Sequence, residues 1–152
     1  MTSIKDIWML ALVILPLSLT ACSSDNDDKG DTSNSSSELV GTWISYYYAE
    51  EEYVNGTRVS IEDDYDEDLM VVFNEDGTGI SYEYYNSIWH AGDSFEWTLS
   101  GDSLYTDYGD FSEVASVTKL TTSYLELITT ETYTSGSDVY MTAFIVYYKK
   151  QS

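Results

Sequence analysis

From residue 38 onward the chain offers no sustained helical period. Apolar side chains alternate with polar ones or run in short blocks rich in Val, Ile, Thr and Tyr, and turn signals interrupt them at close intervals. Asn55-Gly56 has the residue types of a type I′ hairpin turn, since both tolerate positive φ. Asn74-Glu75-Asp76-Gly77, Ser100-Gly101-Asp102, Gly109-Asp110 and Ser135-Gly136-Ser137-Asp138 punctuate the rest. A chain divided in this way folds as sequential antiparallel strands, which either leave hydrogen-bonding edges open or close on themselves.

The expected strands follow from these breaks. The first covers residues 41–48 and extends toward Val54, and 57–61 return from the hairpin turn. Residues 62–68, Glu-Asp-Asp-Tyr-Asp-Glu-Asp, carry too much charge for a strand and read as an acidic loop. A short apolar strand over 69–73 is followed by 79–85, a loop over 86–92, and 94–99, where Phe95, Trp97 and Leu99 alternate with Glu96 and Thr98. Residues 103–108, 114–120, 124–134 and 139–149 complete about eight principal strands. The expectation is an all-β domain, an antiparallel up-and-down barrel of about eight strands, whose interior fills with side chains or holds one small ligand. Trp43, early in the first strand, is expected to plug one end. At 152 residues and 43% hydrophobic the chain supports one such domain, residues 38–150, and not two.

The N-terminus reads as targeting, not structure. Lys5 precedes an apolar stretch over residues 7–19, too short for a stable membrane span, and the small residues Thr20 and Ala21 lead to Cys22, the only cysteine. Leu19-Thr20-Ala21-Cys22 resembles the lipobox of bacterial lipoproteins, in which cleavage before the cysteine is coupled to its acylation. The resemblance implies a signal peptide over 1–21, lipidation of Cys22 with acyl chains such as palmitate, and membrane attachment. Each buried CH₂ contributes about 0.8 kcal/mol, so several chains anchor stably. Residues 23–37 are Ser, Asp, Asn, Thr, Gly and Lys, too polar to offset the entropy of ordering, and form a tether. Their acidic start, Ser23-Ser24-Asp25-Asn26-Asp27-Asp28, is similar to the signal that routes outer-membrane lipoproteins of certain Gram-negative anaerobes to the cell surface; this favours surface display over the periplasmic face.

Charge narrows the partners. With 27 acidic against 6 basic residues the net charge is −21, which repels nucleic acid and anionic surfaces and suits a soluble, monomeric domain. Asp63, Asp64, Asp66, Glu67 and Asp68 supply hard oxygen ligands for weak calcium binding, with Asp63, Asp64, Asp66 and Asp68 the candidate set, although their spacing is not that of an EF-hand. A solvated acidic loop explains the same residues. His90 is the single histidine and lies in an expected loop, so no His pair or Cys-His site forms within the chain. No Gly-x-Ser-x-Gly or cofactor motif occurs, and the expectation is a protein without enzymatic activity and without a cofactor.

Fifteen tyrosines are the compositional oddity. Consecutive tyrosines on a strand face opposite sides, so some line the interior and others make an aromatic surface. Trp43, Trp89, Trp97, Tyr82, Tyr84 and Tyr105 are the candidates for contact with a small apolar or amphipathic ligand. Packing and β-propensity account for many of these aromatics without any ligand.

Leu39-Val40-Gly41-Thr42-Trp43, Phe73-Asn74-Glu75-Asp76-Gly77-Thr78-Gly79, Phe95-Glu96-Trp97 and the strand over 120–128 together resemble the bacterial lipocalin-like lipoprotein domains. The resemblance covers residues 38–150 and rests on the order and spacing of these motifs. It implies a small lipocalin-like barrel and carries no catalytic residues. Two functions are compatible with it: a lipid-anchored binder of a small apolar or amphipathic ligand, or a non-enzymatic accessory module of a cell-surface complex that acts through its aromatic face or acidic loop.

Overall fold

The computed structural model describes residues 35–152. The expected signal peptide, Cys22 and the expected tether as far as residue 34 lie outside the described residues. A single helical turn, α1 (Ser36–Leu39), precedes nine strands: β1 (Gly41–Val54), β2 (Thr57–Asp64), β3 (Leu69–Phe73), β4 (Thr78–Tyr85), β5 (Ile88–Ser100), β6 (Ser103–Asp107), β7 (Ser112–Leu120), β8 (Tyr124–Ser135) and β9 (Asp138–Lys150). All pairings are antiparallel. The order β1-β3-β4-β5-β6-β7-β8-β9 closes through β1–β9 into an eight-stranded barrel, and β2 is an additional strand against β1.

β1 is the strand on which closure depends. Along one side it pairs with β9 from Trp43 to Val54. On the other it pairs first with β3, over Gly41 to Ile44, and then with β2, from Tyr48 onward. The Ser45 hydroxyl bridges the changeover, donating to the Asp66 carbonyl at 3.1 Å and accepting from the Leu69 N–H at 3.1 Å. Ser45 is the buried polar residue of the core, and both of its bonds are made. Tyr46 is the extra residue of a bulge against β9 at the same level, which sharpens the bend of the strand.

One end of the barrel is sealed. Trp43 is fully buried and donates its indole N–H to the Leu39 carbonyl at 2.7 Å, so α1 is held beneath the plug. Lys150 crosses the same end with Nζ 4.9 Å from the Trp43 ring, and donates to the Glu38 carbonyl at 2.8 Å. Phe73, Phe95, Trp97, Leu104, Val117 and Leu125 fill the barrel above Trp43. The outer ring atoms of Phe95 occupy the space where a side chain of its cross-strand partner Gly79 would stand, and the ring meets Phe73 edge-on at 5.6 Å.

At the other end the wall rises unevenly. Beyond Ile128, β8 keeps only β9 as a partner, so β2-β1-β9-β8 continues past the rim as a four-stranded extension. Opposite it the tip of the β4–β5 hairpin stands clear, because β3 ends its pairing at Glu83 and β6 meets β5 only from Glu96.

Three local expectations require correction. The acidic stretch is not one loop: Glu62, Asp63 and Asp64 belong to β2, and only residues 65–68 are irregular. β2 is an exposed edge, so its carboxylates stay solvated and discourage pairing with other chains. Residues 86–92 are likewise not a loop. Asn86 and Ser87 make a two-residue turn at φ 52° and 65°, and β5 begins at Ile88, with Trp89 opposite Tyr84. Aromatic cross-strand packing carries the strand through a segment whose Gly and Asn suggest a break. Finally, residues 36–39 form a helical turn where tether and strand entry are expected, because Leu39 is buried under Trp43. Asn55-Gly56 does form the expected hairpin turn, with φ of 50° and 78°.

Candidate functional site

Strand alternation turns every second residue inward, and above Phe73 and Phe95 these side chains no longer meet. They enclose a cavity of about 260 Å³. Its walls are apolar where the barrel is deepest: Val71, Phe73 and Phe95 on one side, Leu127, Phe144 and Val146 on the other, with Leu104 between. Polar groups enter higher up, through Ser81, Tyr82, Thr106, Tyr108, Thr129 and Tyr148. Glu83 and Glu113 also line the cavity, and both are exposed, which places them at its mouth. An apolar body with a few convergent polar groups is the make-up of a small-molecule site, and the volume falls just below the roughly 300–1,000 Å³ usual for drug-sized ligands.

The phenols of this site are held protonated. Burial pushes the Tyr148 phenol up, and Tyr108, Asp68 and Glu113 act in the same direction. Burial and then Glu113 raise Tyr108. Asp68 is itself raised by burial and by the carboxylates of Asp66 and Glu83. Tyr108 and Tyr148 therefore present neutral hydroxyls, able to donate and to accept.

Of the residues singled out from the sequence, only Tyr82 lines this cavity. Trp43 lies below it, as the end plug. Trp97 is packed edge-on against Phe73 at 5.5 Å and donates its indole N–H to the Thr78 carbonyl at 2.9 Å. Tyr105 is exposed and borders an open, polar groove on the outer wall beside Glu96 and Asp107. Trp89 and Tyr84 pack on each other at 5.0 Å in the projecting β4–β5 hairpin. His90 stacks on Tyr85 at 3.6 Å in the same hairpin, and its buried Nε2 has no hydrogen-bond partner among the described residues.

The calcium candidates do not converge. Asp63 accepts from the Tyr47 hydroxyl at 2.7 Å, Asp64 accepts from the Tyr65 N–H at 2.7 Å, and as neighbours on β2 they face opposite sides. No group of three or more His, Cys, Asp or Glu among the described residues is placed to hold a metal ion, so the acidic stretch is better described as a solvated strand and loop.

A family model described as a lipocalin-like domain matches residues 39–127. The chain belongs to the lipocalin-like domain family. A crystal structure of a lipocalin-like protein from Bacteroides uniformis is similar to it, with 15% sequence identity and a TM-score of 0.49, over 75% of this chain and 99% of that one. No curated protein matches the sequence.

A second aromatic feature of this lipocalin-like domain lies outside the barrel. The Tyr46 ring meets Tyr147 at 6.1 Å and Tyr124 at 6.4 Å, while Tyr47 meets Tyr147 at 5.2 Å and Tyr65 at 4.9 Å. Lys149 sits 4.4 Å over Tyr46, and Lys119 sits 5.2 Å over Tyr124. The hydrogen bond to Asp63 is the main cause that pushes the Tyr47 phenol up to about 12. The adjacent tyrosines of β9 thus divide their work: Tyr147 faces out, and Tyr148 faces the cavity together with Phe144 and Val146. That two-residue spacing is the signal by which these cavity residues can be found in the sequence, once the phase of the strand is known.

Proposed function

We propose that this protein is a lipid-anchored, lipocalin-like binding protein without enzymatic activity, which holds a small apolar or amphipathic molecule in its barrel. The observation that carries this reading is the cavity of about 260 Å³ between Phe73, Phe95 and Tyr148, apolar at depth and polar at the mouth, within a barrel sealed at its opposite end. Attachment through Cys22 rests on the lipobox-like run Leu19-Thr20-Ala21-Cys22, and display on the outer membrane, facing the cell exterior, rests on the acidic residues that follow.

Titration of the full chain with an environment-sensitive apolar fluorophore tests the binding reading. The account expects one saturable site from which octanol displaces the dye; an unsaturable signal that octanol leaves unchanged refutes it. Because no tryptophan among the described residues lines the cavity, emission of the dye itself is the readout. Anchoring is tested separately in a Gram-negative host: wild type partitions with detergent and Cys22→Ala does not, and an alanine variant that stays membrane-bound overturns the anchor.

The outer tyrosines favour a second reading. An aromatic face from Tyr65 through Tyr47 and Tyr147 to Tyr124, with Lys149 and Lys119 above it, suits an accessory role in a surface complex.

A further inference from the structure

Charge around the cavity is of one sign. Glu83 and Glu113 stand at its mouth, and Asp68 lies close enough to act on the Tyr148 phenol. Among the described residues, no lysine, arginine or histidine lines it. Each basic side chain among the described residues is engaged elsewhere: Arg58 with Glu51, Lys119 over Tyr124, Lys149 over Tyr46, and Lys150 over Trp43 at the sealed end. Tyr148, only 9% exposed, lines the cavity. A phenol that faces an open space can donate to or accept from a polar group of a ligand.

These features discriminate among amphiphiles. A carboxylate or sulfate head entering this mouth finds no cation among the described residues and faces two carboxylates. An ammonium head finds the same two carboxylates as counterions, and the aromatic side chains of Tyr82 and Tyr108 within the lining.

We propose that the cavity selects small amphiphiles whose head group is cationic, with Glu83 and Glu113 as the residues that recognise the charge and the apolar floor holding the tail. This rests on the binding reading above and adds the class of ligand to it. The net charge of −21 alone also attracts cations, but only as a diffuse effect that any surface carboxylate shares.

The test compares three eight-carbon probes on the full chain by calorimetry: octyltrimethylammonium, octanol and octanoate. The expected order is the ammonium tightest, octanol intermediate and octanoate weakest, with at least about tenfold between the two ions, equivalent to about 1.4 kcal/mol. Raising the salt concentration narrows the gap between the ions and leaves octanol unchanged. The double substitution Glu83→Gln and Glu113→Gln, both at exposed positions, brings the ions within about threefold of each other. Glu75→Gln, a carboxylate on the β3–β4 turn outside the cavity lining, keeps the full discrimination. Octanol binding without discrimination between the ions, or tighter binding of octanoate, overturns the charge assignment and leaves the binding reading standing. Discrimination that survives the double substitution, or that falls equally in Glu75→Gln, also overturns it, since the effect is then global. If none of the three probes binds, the binding reading itself fails.

Discussion

Replacing Gly79 by alanine tests how the barrel interior is packed below the cavity. Gly79 pairs with Phe95, and the Phe95 ring lies where a side chain at position 79 would be. An added Cβ overlaps two atoms of that ring and stands 2.7 Å from the Val72 carbonyl oxygen. The ring can move only by giving up its contacts with Phe73 and Tyr108, at 5.6 and 5.5 Å, and the Val72 backbone is fixed in the β3–β4 ladder. Overpacking of this kind costs about 1–3 kcal/mol, and the rigid backbone contact argues for the upper part, about 2–3. Against it stands the lower chain entropy of alanine in the unfolded state, about 0.4–1 kcal/mol, so the net loss is about 1–2.5 kcal/mol. At an m-value of about 1.5 kcal/mol/M, the urea midpoint falls by about 0.7–1.7 M with m unchanged. Adding Phe95→Leu to Gly79→Ala makes room, and the pair loses about 1 kcal/mol less than the sum of the single variants. A midpoint within about 0.3 M of wild type, or strict additivity of the two changes, refutes the close approach of ring and glycine.

Trp43→Ala is expected to cost about 3–5 kcal/mol, a large share of a small domain's stability, because it empties the sealed end and frees the Leu39 carbonyl. Trp89→Ala, half-buried in the projecting hairpin, costs much less; equal small losses in urea titrations contradict the plug. Alkali is expected to unfold the protein through Tyr148. Its folded-state pKa is raised by burial, so its contribution is complete below the ordinary phenol value of about 10 and is lost as pH rises above it. Unfolding free energies at about pH 9 and pH 11 should therefore differ less in Tyr148→Phe than in wild type, and an unchanged difference removes Tyr148 from this role.

The closed all-β architecture is legible in the sequence because turn residues and two-residue alternation act locally. Asn55-Gly56 and the short apolar block over 69–73 each fix one element by themselves, and the strand spans found agree with those spacings. What escapes local reading depends on partners distant in the chain. Glu62, Asp63 and Asp64 become strand because β1 offers them a ladder, with Asp63 bound to Tyr47, sixteen residues away. Trp89 and His90 become strand because Tyr84 and Tyr85 pack on them. The cavity is harder still. Tyr147 and Tyr148 are indistinguishable by type, and only the phase of β9 within the closed barrel sends one outward and the other in. A bulge such as that at Tyr46 shifts the phase, so large aromatics chosen by size alone, Trp43, Trp97 and Tyr105, fall into the plug, the core and the outer wall.

The barrel interior and the outer aromatic face make opposite demands on a pair of substitutions. Ala115 lines the cavity, so Ala115→Trp occupies the space; Tyr124 is exposed on the outer face, and Tyr124→Ala removes part of that surface. Affinity of the apolar fluorophore for both folded variants, measured beside wild type, is the most direct test of the binding account. That account predicts at least about a tenfold loss in Ala115→Trp, equivalent to about 1.4 kcal/mol, and no change in Tyr124→Ala. Undiminished binding in Ala115→Trp together with a loss in Tyr124→Ala contradicts it and places the ligand on the outer tyrosines.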